Sequence, residues 1–266
     1  YTATPASVMR AKKGVEGSEY VSVRVNTGQT IAFNNAKPPF DDLRVRKAFI
    51  QAVDWQALAD TVFGEGSVAS KWFTLPDTKW HAPNATLPPY DLEEAQRLID
   101  EYNAEKGQDT LVIEYQAFQQ SLDQARADFI QTSLHQLKGV KVNVTVGDSP
   151  TNIQRVLAGE YMVSSWGFPS VDMDPGLHNA AYSQSFTNYT KYNNPEVDAK
   201  LDQARVTDDD DVRVKLYQEV FEQLAKDVPY YPYVETENGF VLSPKMGGGE
   251  VYYDGILRFD LIWKRS

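Results

Sequence analysis

The stretch from Leu111 to Val146, LVIEYQAFQQSLDQARADFIQTSLHQLKGVKVNVTV, decides the fold class. Leu111 to Tyr115 is a short apolar run, and Val140, Val142, Val144 and Val146 alternate with polar residues at the two-residue period of a half-buried strand. Between them, Asp123 to Leu137 has helical period, with Ala125, Phe129, Ile130, Leu134 and Leu137 expected to face inward. Strand, helix of about four turns and strand make a βαβ unit, so the strands are expected to run parallel with a right-handed crossover. The predicted class is α/β.

Working outward, Asp41 and Asp42 follow Pro38-Pro39 at the place of an N-cap and first helical turn. Val45, Ala48, Phe49, Ala52 and Val53 then form an apolar stripe, with Arg44, Arg46 and Lys47 expected on the other faces. A short helix from Gln56 to Phe63 ends at Gly64. Another opens at Asp91, with Glu94 three residues on and Ala95, Leu98, Ile99 and Tyr102 as its buried stripe. Ala6 to Lys13 reads as a helix tail closed by Gly14. Tyr20 to Val25 and Thr30 to Asn34 read as two extended pieces joined by a turn at Asn26 to Gln29, a hairpin entering the helix at 41.

Downstream of the decisive stretch, Pro150 to Gly159 is predicted helical and Tyr161 to Trp166 extended. A helix opens at Asn194 and runs through Ala204, and the aspartates at 208 to 211 cap a longer one, Val212 to Lys226. That acidic run lacks the glycine and distal glutamate of an EF-hand loop. Gly247 to Ser266 reads as a closing extended segment. Two irregular stretches remain. Ser67 to Tyr90, with Trp72, Phe73 and Trp80, is expected to be a long loop packed over the core. Gly167 to Lys191 is richer in polar and aromatic side chains and begins where a strand ends, the place where open α/β sheets bind ligands. Trp166, Phe168, Asp172, Asp174, His178 and Tyr182 are its candidate binding residues, although Trp166 would serve equally as core.

The 266 residues include no cysteine, which excludes disulfides, thiolate metal sites and a cysteine nucleophile without choosing a compartment. A formal net charge of −11 argues against nucleic acid or anionic lipid as a partner. No apolar run approaches the about 20 residues of a membrane-spanning helix. The first residue is Tyr1 rather than Met, so upstream residues are expected, with room among them for a secretory leader. The histidines at 81, 135 and 178 stand apart, with no metal-ligand spacing, and no phosphate loop or catalytic constellation is present, so no cofactor or metal is expected.

Four segments carry a resemblance. Phe33 to Asp54 resembles FNxxxPPFDDxRVRxAxxxAxD, Tyr90 to Ile99 the helix YDxxxAxxLL, and Trp166 to Pro175 the element W-x-x-D-x-x-[DE]-P of the extracellular solute-binding proteins, family 5. Tyr192 to Asp198, with Asp227-Val-Pro-Tyr-Tyr-Pro232, is similar to a further segment of the same family. The resemblance implies the C-terminal lobe of a type II periplasmic binding protein, a mixed, largely parallel sheet flanked by helices. On it, residues 1–35 would be crossover strands from a first lobe, 36–235 the ligand-binding lobe, and 236–266 a return segment. It implies the substrate-binding component of an ABC importer, periplasmic or extracellular, with lipid anchoring left open. Its partners would be a peptide or similar solute and the permease subunits, and the lobe itself would be monomeric.

Two positions depart from the family's peptide binders. Pro169 stands where an aspartate holds the peptide amine, and Asp172 takes that role only in a longer loop. Phe118 and Gln119 occupy the segment where some dipeptide binders place an arginine; they join the candidates without supplying a cation. Both departures weigh against a dipeptide as solute. The rival classes are a hydrolase or transferase using Asp172 and Asp174, and a protein-interaction module.

Overall fold

A computed structural model describes residues 2–3, 17–25, 29–168, 173–252 and 257–265. The chain begins with β1 (Thr2–Ala3), β2 (Glu19–Val25) and β3 (Thr30–Phe33). In α1 (Leu43–Gln51) and α2 (Trp55–Phe63) an aspartate takes a first-turn N–H, Asp42 from Arg44 and Asp54 from Ala57. α3 (Leu92–Lys106) repeats the device with Asp91 and Glu94, and ends on Gly107 at φ 63°, a left-handed position that suits glycine. The alternation then runs β4 (Leu111–Phe118), α4 (Ser121–Leu134), β5 (Val140–Gly147), α5 (Ser149–Ala158), β6 (Val163–Trp166). α6 (Met173–Ala181), α7 (Pro195–Val206) and α8 (Asp210–Asp227) precede β7 (Tyr230–Pro232). β8 (Thr236–Leu242), β9 (Met246–Gly247) and β10 (Trp263–Lys264) follow. The acidic run acts as a cap, since Asp209 accepts the N–H groups of Asp211 and Val212.

β5, β4, β6, β3 and β7 form, in that order, a five-stranded sheet. β4 is parallel to β5 and β6, and β3 is antiparallel to β6 and β7, so only β3 opposes the rest. The sheet is therefore mixed and largely parallel, as expected. β3 has all four residues buried, in keeping with an inner strand covered on both faces. One layer is α4, over the face bearing Tyr115; α5 lies over the other, where Gln116 donates to the Asn152 carbonyl at 3.0 Å. Phe33, Phe40 and Phe49 close the core with ring centroids 4.9, 5.3 and 5.8 Å apart, and the α1 stripe is buried as its spacing predicts. Each such side chain contributes about 1.5–3 kcal/mol by leaving water.

Ser67 to Tyr90 is a packed loop, as expected. Phe73 meets Tyr230 edge-on at 5.2 Å, Trp80 meets Tyr217 at 5.4 Å, and both loop aromatics are buried. A bridge between Ala69 and Val234 continues the sheet past β7, so that edge is covered rather than open.

Several local expectations change. α4 is shifted toward the N-terminus, and its buried face comprises Asp123, Arg126, Ala127, Ile130, Ser133 and Leu134, while Ala125 is exposed and Phe129 half-buried. An ion pair between Asp123 and Arg126 takes inward positions, and that rotates the face. Arg46 is buried rather than on an outer face of α1. Its guanidinium donates to the Phe40 carbonyl at 2.7 Å and to the Asp227 carbonyl at 2.8 and 3.0 Å, satisfying an end of α8 that has no intrahelical donor. β2 does not form a hairpin with β3. It pairs antiparallel with β8, from Glu19 opposite Leu242 to Val25 opposite Thr236, in a separate three-stranded sheet β1-β8-β2. A long-range ladder thus overrides the local turn. Residues 26–28 of that turn, and Ala6 to Lys13, lie outside the described residues. Within the second irregular stretch the structure contains α6.

Candidate functional site

Phe118 ends β4 and Trp166 ends β6, and because these strands are parallel both aromatics stand at the same end of the sheet. The Trp166 ring lies 6.4 Å from Phe118 and 5.2 Å from Tyr189, the latter edge-on at 72°. All three are half-buried, and Gln119 is exposed beside them. The result is an aromatic wall open on one side, at the place where open α/β sheets bind ligands.

A polar network holds the wall from below. Asp123 accepts the Phe118 N–H and pairs with Arg126. Arg126 donates to Ser165 Oγ and Tyr233 Oη, and to Gln29 Oε1 at 3.1 Å. Tyr115 and Ser165 share a hydrogen bond of 2.9 Å, and Thr30 Oγ1 donates to the Trp166 carbonyl at 2.6 Å. Burial pushes the Tyr233 phenol up to about 12, against the opposing pull of the Arg126 charge, so it stays neutral. Deleting one partner of such a buried pair costs about 3–5 kcal/mol. The sequence reading missed this network. Its only signal there was opposite charge at three-residue spacing, which surface helices share.

Other candidates gather elsewhere, between α6 and α7. Arg205 pairs with Asp174 at 3.1 Å and lies 3.1 Å from His178 Nε2. His178 stacks on Tyr182 with centroids 4.4 Å apart, and Tyr182 donates to Asp202 at 3.3 Å. Burial, and then the Arg205 charge, lower the His178 pKa. Asp174, His178 and Tyr182 are thus brought together through α7, whose arginine and aspartates the sequence reading left out. Phe168 is buried against Tyr230 at 4.6 Å, on the core side of the wall. Asp172, with Pro169 and Val171, lies outside the described residues, and the other member of that carboxylate pair, Asp174, is held by Arg205.

Residues 2–188 match the model of the bacterial extracellular solute-binding proteins, family 5 Middle. The chain belongs to this family. Among family-5 relatives, Heme-binding protein A of Haemophilus influenzae is 28% identical over 229 residues, covering 82% of this chain and 41% of the relative. The Dipeptide-binding protein of Escherichia coli is 25% identical over 257 residues, covering 90% and 48%. The chain spans about half the length of the curated relatives it matches. Among solved structures, HbpA2 from Haemophilus parasuis superposes with a TM-score of 0.82 at 22% identity, over 98% of this chain and 52% of that one. AppA from Bacillus subtilis, in complex with a nonapeptide, superposes at 0.83 with 17% identity, over 98% and 55%. These likenesses establish the fold, that of the family's type II periplasmic binding proteins. The family-5 match includes Phe118, Trp166, His178 and Tyr182, while Tyr189, Asp202 and Arg205 lie beyond it.

Proposed function

We propose that this chain supplies one lobe of the substrate-binding component of an ABC importer, which takes up peptides or similar solutes between two lobes and delivers them to permease subunits. The observation that carries the reading is the Phe118, Trp166 and Tyr189 wall at the parallel strand ends, above polar groups already committed to one another. Such a surface offers stacking and apolar cover and, among the described residues, no nucleophile beside a base, so it suits recognition. Relatives named as dipeptide-, oligopeptide- and heme-binding proteins support a solute as ligand.

In this reading Trp166, Phe118 and Gln119 meet the solute and Phe168 backs the wall, while Asp174, His178 and Tyr182, with Asp172 outside the described residues, are the lobe's further candidate contacts. Residues 36–235 form the lobe, and 1–35 and 236–266 are the segments that join it to the other; the pairing of β2 with β8 apart from the five-stranded sheet supports that division. The lobe by itself is monomeric, and the whole protein works in the periplasm or outside the cell, with lipid anchoring left open. Calorimetric titration of this chain with short peptides, with the Trp166 indole N–H followed by NMR, tests the reading. The expected outcome is weak binding that perturbs Trp166 and disappears in Trp166→Ala. Micromolar affinity for this chain alone would overturn the half-cleft reading, and a Trp166 signal indifferent to saturating peptide would overturn solute binding at this wall.

A further inference from the structure

Away from the strand ends, a cavity of about 490 Å³ opens between the start of α2 and the long covering loop. Trp55, Trp72, Leu87, Tyr90 and Tyr231 wall it, and Asp54 and Lys71 stand in its lining as charges of opposite sign. Both indole N–H groups are spent, Trp55 on the Ile50 carbonyl at 2.8 Å and Trp72 on the Pro83 carbonyl at 3.3 Å. Tyr231 differs. It lines the cavity with its ring 4.8 Å from that of Trp55, and no hydrogen bond among the described residues uses its hydroxyl. The hydroxyl is open to the cavity and available to a ligand there. Tyr233, two residues on, has its hydroxyl engaged by Arg126 and Gln29 instead.

The two charges are also available. Lys71 is exposed and forms no ion pair among the described residues, and Asp54 uses Oδ1 to cap α2 at 3.0 Å, which leaves Oδ2 open. The volume falls within the roughly 300–1,000 Å³ of small-molecule sites. Flat aromatic walls suit a ring, one unpaired hydroxyl suits one polar ring substituent, and opposite charges suit a zwitterion.

We propose that this cavity is a second binding site, for a free hydroxylated aromatic amino acid of the tyrosine type. Its ring lies among Trp55, Trp72 and Leu87, its phenol hydrogen-bonds Tyr231, its carboxylate meets Lys71 and its ammonium meets Asp54. The site is separate from the aromatic wall and does not depend on peptide binding there.

Tryptophan fluorescence of this chain, titrated with L-tyrosine, L-phenylalanine and tyramine, tests the proposal. L-Tyrosine is expected to saturate, with L-phenylalanine and tyramine each weaker by about tenfold, since each lacks one polar contact. Tyr231→Phe keeps the ring against Trp55 and is expected to erase the preference for L-tyrosine over L-phenylalanine. Lys71→Ala, an exposed change, is expected to erase the preference over tyramine. Absence of saturable binding, or binding indifferent to both substitutions, overturns the proposal and leaves the solute-binding reading standing.

Discussion

Ser67 to Tyr90 and Gly167 to Lys191 look alike as sequence, both broken by turn residues and both studded with aromatics, but the structure holds them by different means. The first is held from beneath by apolar anchors: Phe73 on Tyr230 and Phe221, and Trp80 on Tyr217. The second has apolar anchors in Phe168, Met173 and Leu177, but its part from Ser183 onward is held by polar side chains. Asn188 donates to the Tyr182 and Tyr192 carbonyls and accepts from Thr190 and the Tyr192 N–H. Asp198 takes the N–H and hydroxyl of Ser183, and Arg205 grips Asp174. An apolar anchor consumes the aromatic that makes it. Polar anchoring leaves aromatics at the surface, and Phe186 is 86% exposed.

Substitutions can break this contrast, and the largest effect is expected in the first stretch. Phe73→Ala should lower the unfolding free energy by about 3–5 kcal/mol in urea melts, while Phe186→Ala should change it by no more than about 0.5 kcal/mol. Comparable losses would mean that the two stretches are anchored alike. Next comes Asn188→Ala, which strands buried backbone groups and should cost about 1–3 kcal/mol, with faster amide exchange confined to residues near 182–192. Exchange spread over the whole sheet would contradict a local polar anchor.

Arg205→Ala should cost no more than about 1 kcal/mol, because its pair with Asp174 is partly exposed, the arginine side chain at 43%. A larger loss would show that the α6 and α7 cluster carries fold stability. The smallest effect concerns pH. His178 has its pKa lowered from an ordinary 6.5 by burial and then by Arg205, so the neutral ring is favoured in the folded state. The associated stability is present above pH 6.5 and is lost as pH falls through the lower folded value. His178→Asn should flatten that part of the stability profile measured by thermal melts, and an unchanged profile would remove His178 from the cluster's titration.

Much of this architecture could be read before any coordinates. The strand β5, the stripe of α1 and the aspartate caps of α1 and α3 are local signals that appear where their spacing placed them, although Val146 at the end of the β5 alternation is exposed. The candidate site, whose role as a binding surface stands as a proposal, was readable to the level of its stretch and of Trp166. Its support was not, because Asp123 and Arg126 face inward only by finding each other, Ser165 and Tyr233. Arg205 was missed for a similar reason: an arginine late in a polar helix gives no sign that an aspartate and a histidine from another helix will close on it.

The sequence by itself determined the α/β class, the capped starts of α1 and α3, and the family, because caps, periods and motifs act over a few residues. Only the tertiary structure decided that β2 pairs with β8 rather than β3, that Arg46 is buried at the end of α8, and that Phe168 faces the core while Trp166 faces outward. Those outcomes depend on partners far away in the chain. A buried charge or an unpaired strand edge is tolerated only where such a partner arrives, and local spacing does not encode its arrival.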